Sequence, residues 1–362
     1  MKKYIIIGLI VIVGGVFLLK PLFKDEVIED NPKEILPALF SFSDNLATVG
    51  DEKAPLEITI NNDEIAKLEL LYNDSILKTW KNPKGKLSFT LEAGVFGVGT
   101  RTLNLLSTMK DGSSFVDNRM VRVLSDIIPQ KRIAKIVAEY PHEPTSFTQG
   151  LAFYNGKLYE GTGDPGDQGK TIVAEVDLTS GKIVNSMGLQ AGFFGEGITV
   201  MNDKLYQLTW KNQKCYVYDV NTLQLLSEFN YKGEGWGLTH DGTSLIMSDG
   251  TERITYRNPE TFAIERTIEV YNNEGPINYL NELEFIDGKI YANVWTTASA
   301  ISIDPITGKV LEQIDGSELF RVGRGMGEVL NGIAHNPATG KTYMTGKNWI
   351  KLFEVKFVEP GN

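Results

Sequence analysis

Hydrophobic and polar positions alternate along most of this chain in short runs. From about Ala38 to Ser125 the runs are LEITI at 56–60, KLELLY at 67–72, KLSFTL at 86–91, TLNLLSTM at 102–109 and MVRVL at 120–124, separated by Asn-Asp, Lys-Gly and Asp-Gly turn signals. Regular strands of this length within about ninety residues predict a small β-sandwich of immunoglobulin-like type over 37–128. No cluster of catalytic residue types falls in it, which suits a spacer or docking module.

From 131 to 358 the alternation repeats five times. The copies are FTQGLAFYNGKLYEGTG (147–163), FGEGITVMNDKLYQLTWK (194–211), GEGWGLTHDGTSLIMSDG (233–250), YLNELEFIDGKIYANVWT (279–296) and VLNGIAHNPATGKTYMTGK (329–347). Each has a strand, a tight turn such as Asn155-Gly156 or Asp287-Gly288, and a second strand. Most are followed by a further strand carrying Asp or Asn, as in VAEVDLTSGK and ISIDPITGK. The equivalent positions Gln149, Glu196, Trp236, Asn281 and Asn331 recur at intervals of 47, 40, 45 and 50 residues. That period predicts the four-stranded blades of a five-bladed β-propeller. The last copy has chain for only three strands. RIAKIVAEY at 132–140 is expected to supply its outer strand and close the ring. The fold class is therefore all-β: a propeller preceded by a sandwich.

Hairpin geometry brings distant residues to one mouth of such a ring, because the second strand of each blade runs back beside the start of the first. Gln149, Glu196, Trp236, Asn281 and Asn331 should share one rim with Glu160, Trp210, Ser248, Trp295 and Lys347, and Phe147, Phe194 and Trp349 lie near enough in sequence to join the wall. Aromatic walls with a few convergent polar groups describe a small-ligand site. Glu196 and Lys347 are costly to bury without use, whereas Glu160, beside Tyr159, suits a polar network. Gly150, Gly197 and Gly237 read as structural, since backbones crowd near a propeller axis.

The first two dozen residues follow another pattern. Lys2 and Lys3 precede an apolar run from Tyr4 to Leu19, followed by Lys20, Pro21, Leu22, Phe23 and Lys24. Sixteen residues rise about 24 Å as a helix, nearly enough for a bilayer core. The expectation is a transmembrane signal anchor over 1–23 with a charged tether over 24–36. A cleaved signal peptide is the rival, although no A-x-A-like site follows. Either way the bulk of the chain is exported, and with the anchor retained it is expected to be membrane-anchored and extracytoplasmic (periplasmic or cell envelope).

Composition narrows the partners. The chain has 362 residues, 42% hydrophobic and 23% charged, with a formal net charge of -10. No Lys/Arg cluster stands out, so nucleic acid is excluded as a partner. Cys215 is the only cysteine, which rules out an intrachain disulfide. His142, His240 and His335 fall at non-equivalent positions, so no metal site is expected.

The runs HEPTSFTQGL, FFGEGIT, YQLTWK, GEGWGLT, MSDG, LNELE, YANVW, LNGIA and TGKNW resemble those of the plant and bacterial glutaminyl cyclases, five-bladed propellers that convert an N-terminal glutamine to pyroglutamate and release ammonia. The resemblance covers roughly 132–356; GTGDPGDQGKTIV departs from the serine- and arginine-containing stretch expected there. It implies Glu196 as the essential proton shuttle. It places Lys347 and Asn281 beside it, and Gln149, Phe147, Phe194, Trp210, Trp236 and Trp295 around the substrate, to which the equivalent rim position adds Asn331. The implied partners are peptides or proteins with N-terminal glutamine, and the implied chemistry needs no metal or organic cofactor. Two other classes remain open on the residues alone: a non-catalytic envelope propeller binding peptides or glycans, and a propeller dehydrogenase with a quinone cofactor, for which no basic cofactor site is evident.

Overall fold

The computed structural model describes residues 35–50, 52–166 and 171–361. The apolar run Tyr4–Leu19, expected as a membrane helix, lies outside the described residues. Among the described residues no helix is long and apolar enough to cross a membrane. The described residues are all-β, and the one α-helix among them is the short Ser317–Gly323.

The first part is two sheets around one core. Ala38–Phe40, Lys53–Ile60 and Lys86–Glu92 form one sheet, and Leu46–Val49, Ser114–Leu124, Gly99–Met109, Ile65–Tyr72 and Ser75–Lys81 form the other in that order. Leu56, Ile58, Leu68, Leu70, Leu103, Leu105, Val121 and Val123 face inward between them. The five expected strands are present. Leu46–Val49 and Ser75–Lys81 gave no sequence signal: the first pairs parallel to Ser114–Leu124, and the second is an exposed edge.

Then come five antiparallel four-stranded sheets. The first four each run consecutively through the chain: Phe147–Tyr154 to Ile183–Gly188, Gly195–Met201 to Leu225–Asn230, Leu238–His240 to Ile264–Glu269, and Leu280–Ile286 to Val310–Asp315. The fifth holds Leu330–Asn336, Lys341–Gly346 and Lys351–Val358, and Gln130–Pro141 completes it as the outer strand, antiparallel to Lys351–Val358, as expected. The start of Gln130–Pro141 also pairs parallel to Val310–Asp315, which links the fourth and fifth sheets.

Both kinds of turn have a local cause. Asn155-Gly156 and Asp287-Gly288 take positive φ at both residues, the geometry that matches strand twist in a two-residue hairpin. Between third and fourth strands, Asp177, Asp219, Asn258 and Asp304 accept backbone N–H groups from three residues on.

Each junction between neighbouring sheets buries its own apolar cluster. Tyr159 and Val173 meet Ile198 and Leu205, Leu208 and Cys215 meet Leu238 and Met247, and Ile246 and Tyr256 meet Leu280 and Leu283. Ile286 and Ile314 meet Leu330 and Phe353. The series closes where Ala334, Tyr343 and Leu352 of the fifth sheet pack on Leu151 and Leu158 of the first. Five clusters for five junctions make a ring.

The closing seam also holds a buried ion pair. His142 Nδ1 lies 2.8 Å from the Trp349 carbonyl and Nε2 lies 3.1 Å from Glu160 Oε1, so both ring nitrogens face acceptors. Thr148 and Ser146 hydroxyls donate to the same carboxylate. Burial works against both charges. The Glu160 charge and hydrogen bond nevertheless raise the imidazole pKa above its ordinary 6.5, and His142 with the two hydroxyls lowers Glu160 below its ordinary 4.5. The contribution to stability is lost as pH falls through the lowered Glu160 value and as pH rises through the raised His142 value, so it is complete between 4.5 and 6.5. Replacing His142 with Ala should cost about 3 kcal/mol in that window, with a smaller loss in alkaline solution. A denaturation difference independent of pH would contradict the ion-pair account.

Candidate active site

The site begins with a backbone irregularity repeated in every sheet. Near the start of each innermost strand the hairpin register slips: between Thr148 and Gly150, Gly195 and Ile198, Leu280 and Leu283, and Leu330 and Ile333. In the third sheet Trp236 and Gly237 both bond the backbone of Ser248, the same two-against-one arrangement. Gln149, Glu196, Trp236, Asn281 and Asn331 all sit in these bulges, which re-aim side chains out of the ladder. The glycines beside three of them answer to crowding. A Cβ on Gly150 would lie 2.4 Å from Ile198 N, on Gly197 2.5 Å from Leu238 N, and on Gly237 1.9 Å from the Asn281 carbonyl oxygen.

A second set comes from the far strand of each hairpin. The backbone N–H groups of Trp210, Trp295 and Lys347 donate to the carbonyls of Phe194, Tyr279 and Val329, which holds these three residues just past their strands at the same end of the ring.

Together they surround a cavity of about 600 Å³ lined by residues of all five sheets, Phe147, Gln149, Phe194, Glu196, Trp210, Trp236, Asn281, Trp295 and Lys347 among them. Its aromatic walls are two linked groups. Phe147, Phe194 and Trp210 meet edge-to-face at 6.0 and 5.6 Å between ring centroids, and Trp236 meets Trp295 at 5.5 Å with Tyr279 beyond. The Lys347 ammonium stands 4.8 Å from the Phe147 ring centre.

Glu196, 5% exposed, accepts a hydrogen bond of 3.3 Å from Gln149 Nε2. Asn331 Nδ2 donates to Gln149 Oε1 at 3.3 Å and to the Thr148 carbonyl at 3.0 Å, which turns the Gln149 amide nitrogen toward Glu196. Burial pushes the Glu196 carboxyl well above the ordinary carboxylate range; the charge of Lys347 pulls it back and that of Glu234 adds to the rise. Burial lowers the Lys347 ammonium, opposed by Glu196 and Glu328. The two charges act on one another through space rather than in contact, so they are not a structural ion pair. Asn281 Oδ1 is buried without a partner.

Four residues placed at the rim from the sequence lie elsewhere. Asn331 is fully buried beneath Gln149, at the seam of the first and fifth sheets, and does not reach the cavity wall. Glu160 pairs across from Leu151, deeper than Gln149, and turns into the His142 network. Ser248 is a strap between sheets, its hydroxyl donating to the Asn281 carbonyl and accepting from Gly237 N–H. Trp349 is fully buried against Phe320 and Phe353, with its indole N–H on the Glu328 carbonyl, and forms core instead of wall.

Sequence reasoning missed Glu234. One of its oxygens accepts the indole N–H of both Trp210 (2.6 Å) and Trp236 (3.0 Å), tying the two aromatic walls together, while Lys211 lies 3.9 Å above the Trp210 ring. The repeat did contain the signal. Phe147 and Phe194 stand two residues before their bulge positions, and the equivalents in the next two copies are Glu234 and Tyr279.

The glutamine cyclotransferase family model matches residues 111–357. A curated glutaminyl-peptide cyclotransferase of Arabidopsis thaliana is 37% identical over 229 residues, spanning 61% of this chain and 70% of that protein. The crystal structure of the Myxococcus xanthus glutaminyl cyclase superposes with a TM-score of 0.60 at 37% identity, covering 64% of this chain and 99% of that one.

Replacing Glu234 with Ala should free both indoles, reducing near-ultraviolet circular dichroism while the far-ultraviolet spectrum stays unchanged. Loss of its negative charge should also lower the Glu196 pKa, which a carboxyl NMR titration would read. An unmoved Glu196 titration would mean that the two carboxyls do not sense each other.

Proposed function

Because the chain belongs to the glutamine cyclotransferase family, we propose that it is a glutaminyl-peptide cyclotransferase that converts the N-terminal glutamine of peptides or proteins to pyroglutamate with release of ammonia. In this reading the ring is a five-bladed β-propeller over 131–358 that carries the activity. The domain over 37–128 is an immunoglobulin-like spacer, and 1–23 anchors the enzyme outside the cytoplasm through the apolar run Tyr4–Leu19. The observation that carries the reading is Glu196: a buried carboxyl on an aromatic cavity wall, with an amide donor in contact and a lysine close enough to bias its charge.

The reaction joins the substrate's α-amine nitrogen to its own γ-carboxamide carbon and breaks the bond from that carbon to the amide nitrogen. Both reacting groups belong to one residue, so the main task is to hold a cyclisable conformer in a fixed pocket. The two aromatic walls suit that task, since they bury the glutamine methylenes without competing for its polar ends. The α-amine must attack as the neutral base, a modest demand given its reference pKa of about 7.7–8.0.

As the new bond forms, the amine nitrogen becomes acidic and the carboxamide oxygen becomes an oxyanion. Glu196 takes the proton from that nitrogen and returns it to the departing one, which leaves as ammonia. A carboxyl raised by burial is suited to both halves, because its affinity for the proton lies nearer that of the amine. Lys347 supplies the positive charge that the oxyanion requires, in surroundings where little water screens it. The unpartnered Oδ1 of Asn281 is an acceptor for an N–H of the substrate amine. Gln149, held by Asn331, keeps the Glu196 carboxylate aimed.

Ammonia release from a Gln-initiated dipeptide tests the activity, and it is expected to persist in EDTA. Glu196→Gln should reduce kcat by about 10²-fold or more in a folded protein; near-normal turnover would overturn the shuttle. Lys347→Met removes the charge that restrains the Glu196 pKa, so the acid limb of the kcat/KM profile should move to higher pH. A shift the other way would contradict the assignment.

A further inference from the structure

One position of the repeat breaks its own rule. The residue after each bulge position is Gly150, Gly197, Gly237 and Gly332 in four sheets, and Glu282 in the fourth of the ring. Where the others need a bare backbone for close approach, a full carboxylate side chain is buried instead, with 1% of its surface exposed.

Both of its oxygens are engaged, and by different sheets. Oε2 accepts the backbone N–H of Ile333 at 2.7 Å in the fifth sheet, and Oε1 accepts that of Leu151 at 3.2 Å in the first. Glu282 thus reaches across the closing seam of the ring. At the junction that it faces, Gly332 N–H is also taken by a side chain of the fourth sheet, Asn293 Oδ1 at 2.9 Å. Beyond it Glu284, raised to about 8 mainly by burial, accepts the His335 N–H at 2.7 Å.

The anchored groups are close along the chain to the reacting end of the cavity. Leu151 is two residues from Gln149, Ile333 is two residues from Asn331, and Glu282 itself follows Asn281. Two strand residues span about 7 Å. A single carboxyl thus bonds the backbone beside Gln149 and beside Asn331 and follows Asn281 in the chain, three amides that come from three different sheets. Two of them form the chain from Asn331 through Gln149 to Glu196, whose links are both 3.3 Å, near the long limit of an N–H···O bond. A small shift of either strand start would break it.

We propose that Glu282 is a positioning residue for the cyclisation: an axial clasp that holds Gln149, Asn281 and Asn331 in the geometry that aims Glu196. It touches no substrate. The inference rests on the cyclotransferase reading, and wild-type turnover of a Gln-initiated dipeptide, measured first, tests that reading by itself.

Two variants then test the clasp. Glu282→Gly gives the fourth sheet the residue that the other four carry at this place, and Glu282→Gln keeps the shape and one acceptor oxygen. Because the aromatic walls are not held by Glu282, the Gly variant should lose about tenfold or more in kcat while KM stays within about threefold, as expected for misplacement of reacting groups. The Gln variant should recover part of that loss. Wild-type kcat in a folded Glu282→Gly protein would overturn the proposal, as would a change confined to KM. A loss in the Gln variant equal to that in the Gly variant would also overturn it. If neither variant folds, Glu282 serves the fold alone and the positioning role is rejected. Absence of turnover in the wild type, by contrast, would reject the functional reading and leave the clasp geometry untouched.

Discussion

Five strands brought side by side around one axis cannot all keep ordinary side chains at the point of closest approach, and that crowding organises the rest of this protein. It demands glycine beside the bulge position in four sheets, where a Cβ on Gly237 would fall 1.9 Å from a carbonyl oxygen of the next sheet. It also breaks the hairpin register at the same place in every sheet, and a broken register frees a residue from the alternation of a strand. Four of the freed residues, Gln149, Glu196, Trp236 and Asn281, line the cavity at the end of the ring. The cavity is thus a direct result of packing five twisted sheets in a circle, and its polar groups occupy the positions that the packing cannot place in a ladder.

Two buried pairs of charged groups differ in kind. His142 and Glu160 are in contact, hydrogen-bonded and outside the cavity lining, and their pKa values move apart in the direction that favours ionisation of both. Glu196 and Lys347 are also removed from water, yet their pKa values move toward each other, because desolvation outweighs an attraction that acts without contact. Paired charge of the first kind holds a seam. Charge of the second kind is free to act on a third group, and in the proposed mechanism that group is the substrate amine. The Asn281 acceptor left without a partner belongs to the same pattern.

Support for that site comes from layers behind it. Asn331 holds Gln149, Glu234 joins the indoles of Trp210 and Trp236, and Glu282 joins the strand starts on which Gln149 and Asn331 stand. None of these has a chemical role that its residue type would announce. They matter because the geometric tolerance of a reacting site is a fraction of an ångström, and long side chains keep such tolerance only when other groups fix them.

Much of this was legible in the linear chain. The spacing of Gln149, Glu196, Trp236, Asn281 and Asn331 and the shared turn chemistry of the five copies, with their alternating strands, sufficed for the ring and its closure by Gln130–Pro141, because strand period and tight-turn preference are local properties. The same spacing named most of the cavity wall, and by repeat logic it could have named Glu234 and Tyr279. The fate of particular side chains was not local. Asn331 and Trp349 occupy positions equivalent or adjacent to wall residues, and only the packing of the fifth sheet on the first, and of Ser317–Gly323 on Trp349, turned them inward. Glu282 occupies a repeat position where the other four copies carry glycine, but its partners lie 131 and 51 residues away. Periodicity determines which residues arrive at the axis. Which of them face the cavity, and which hold the others in place, is decided by contacts between sheets that are far apart in the chain.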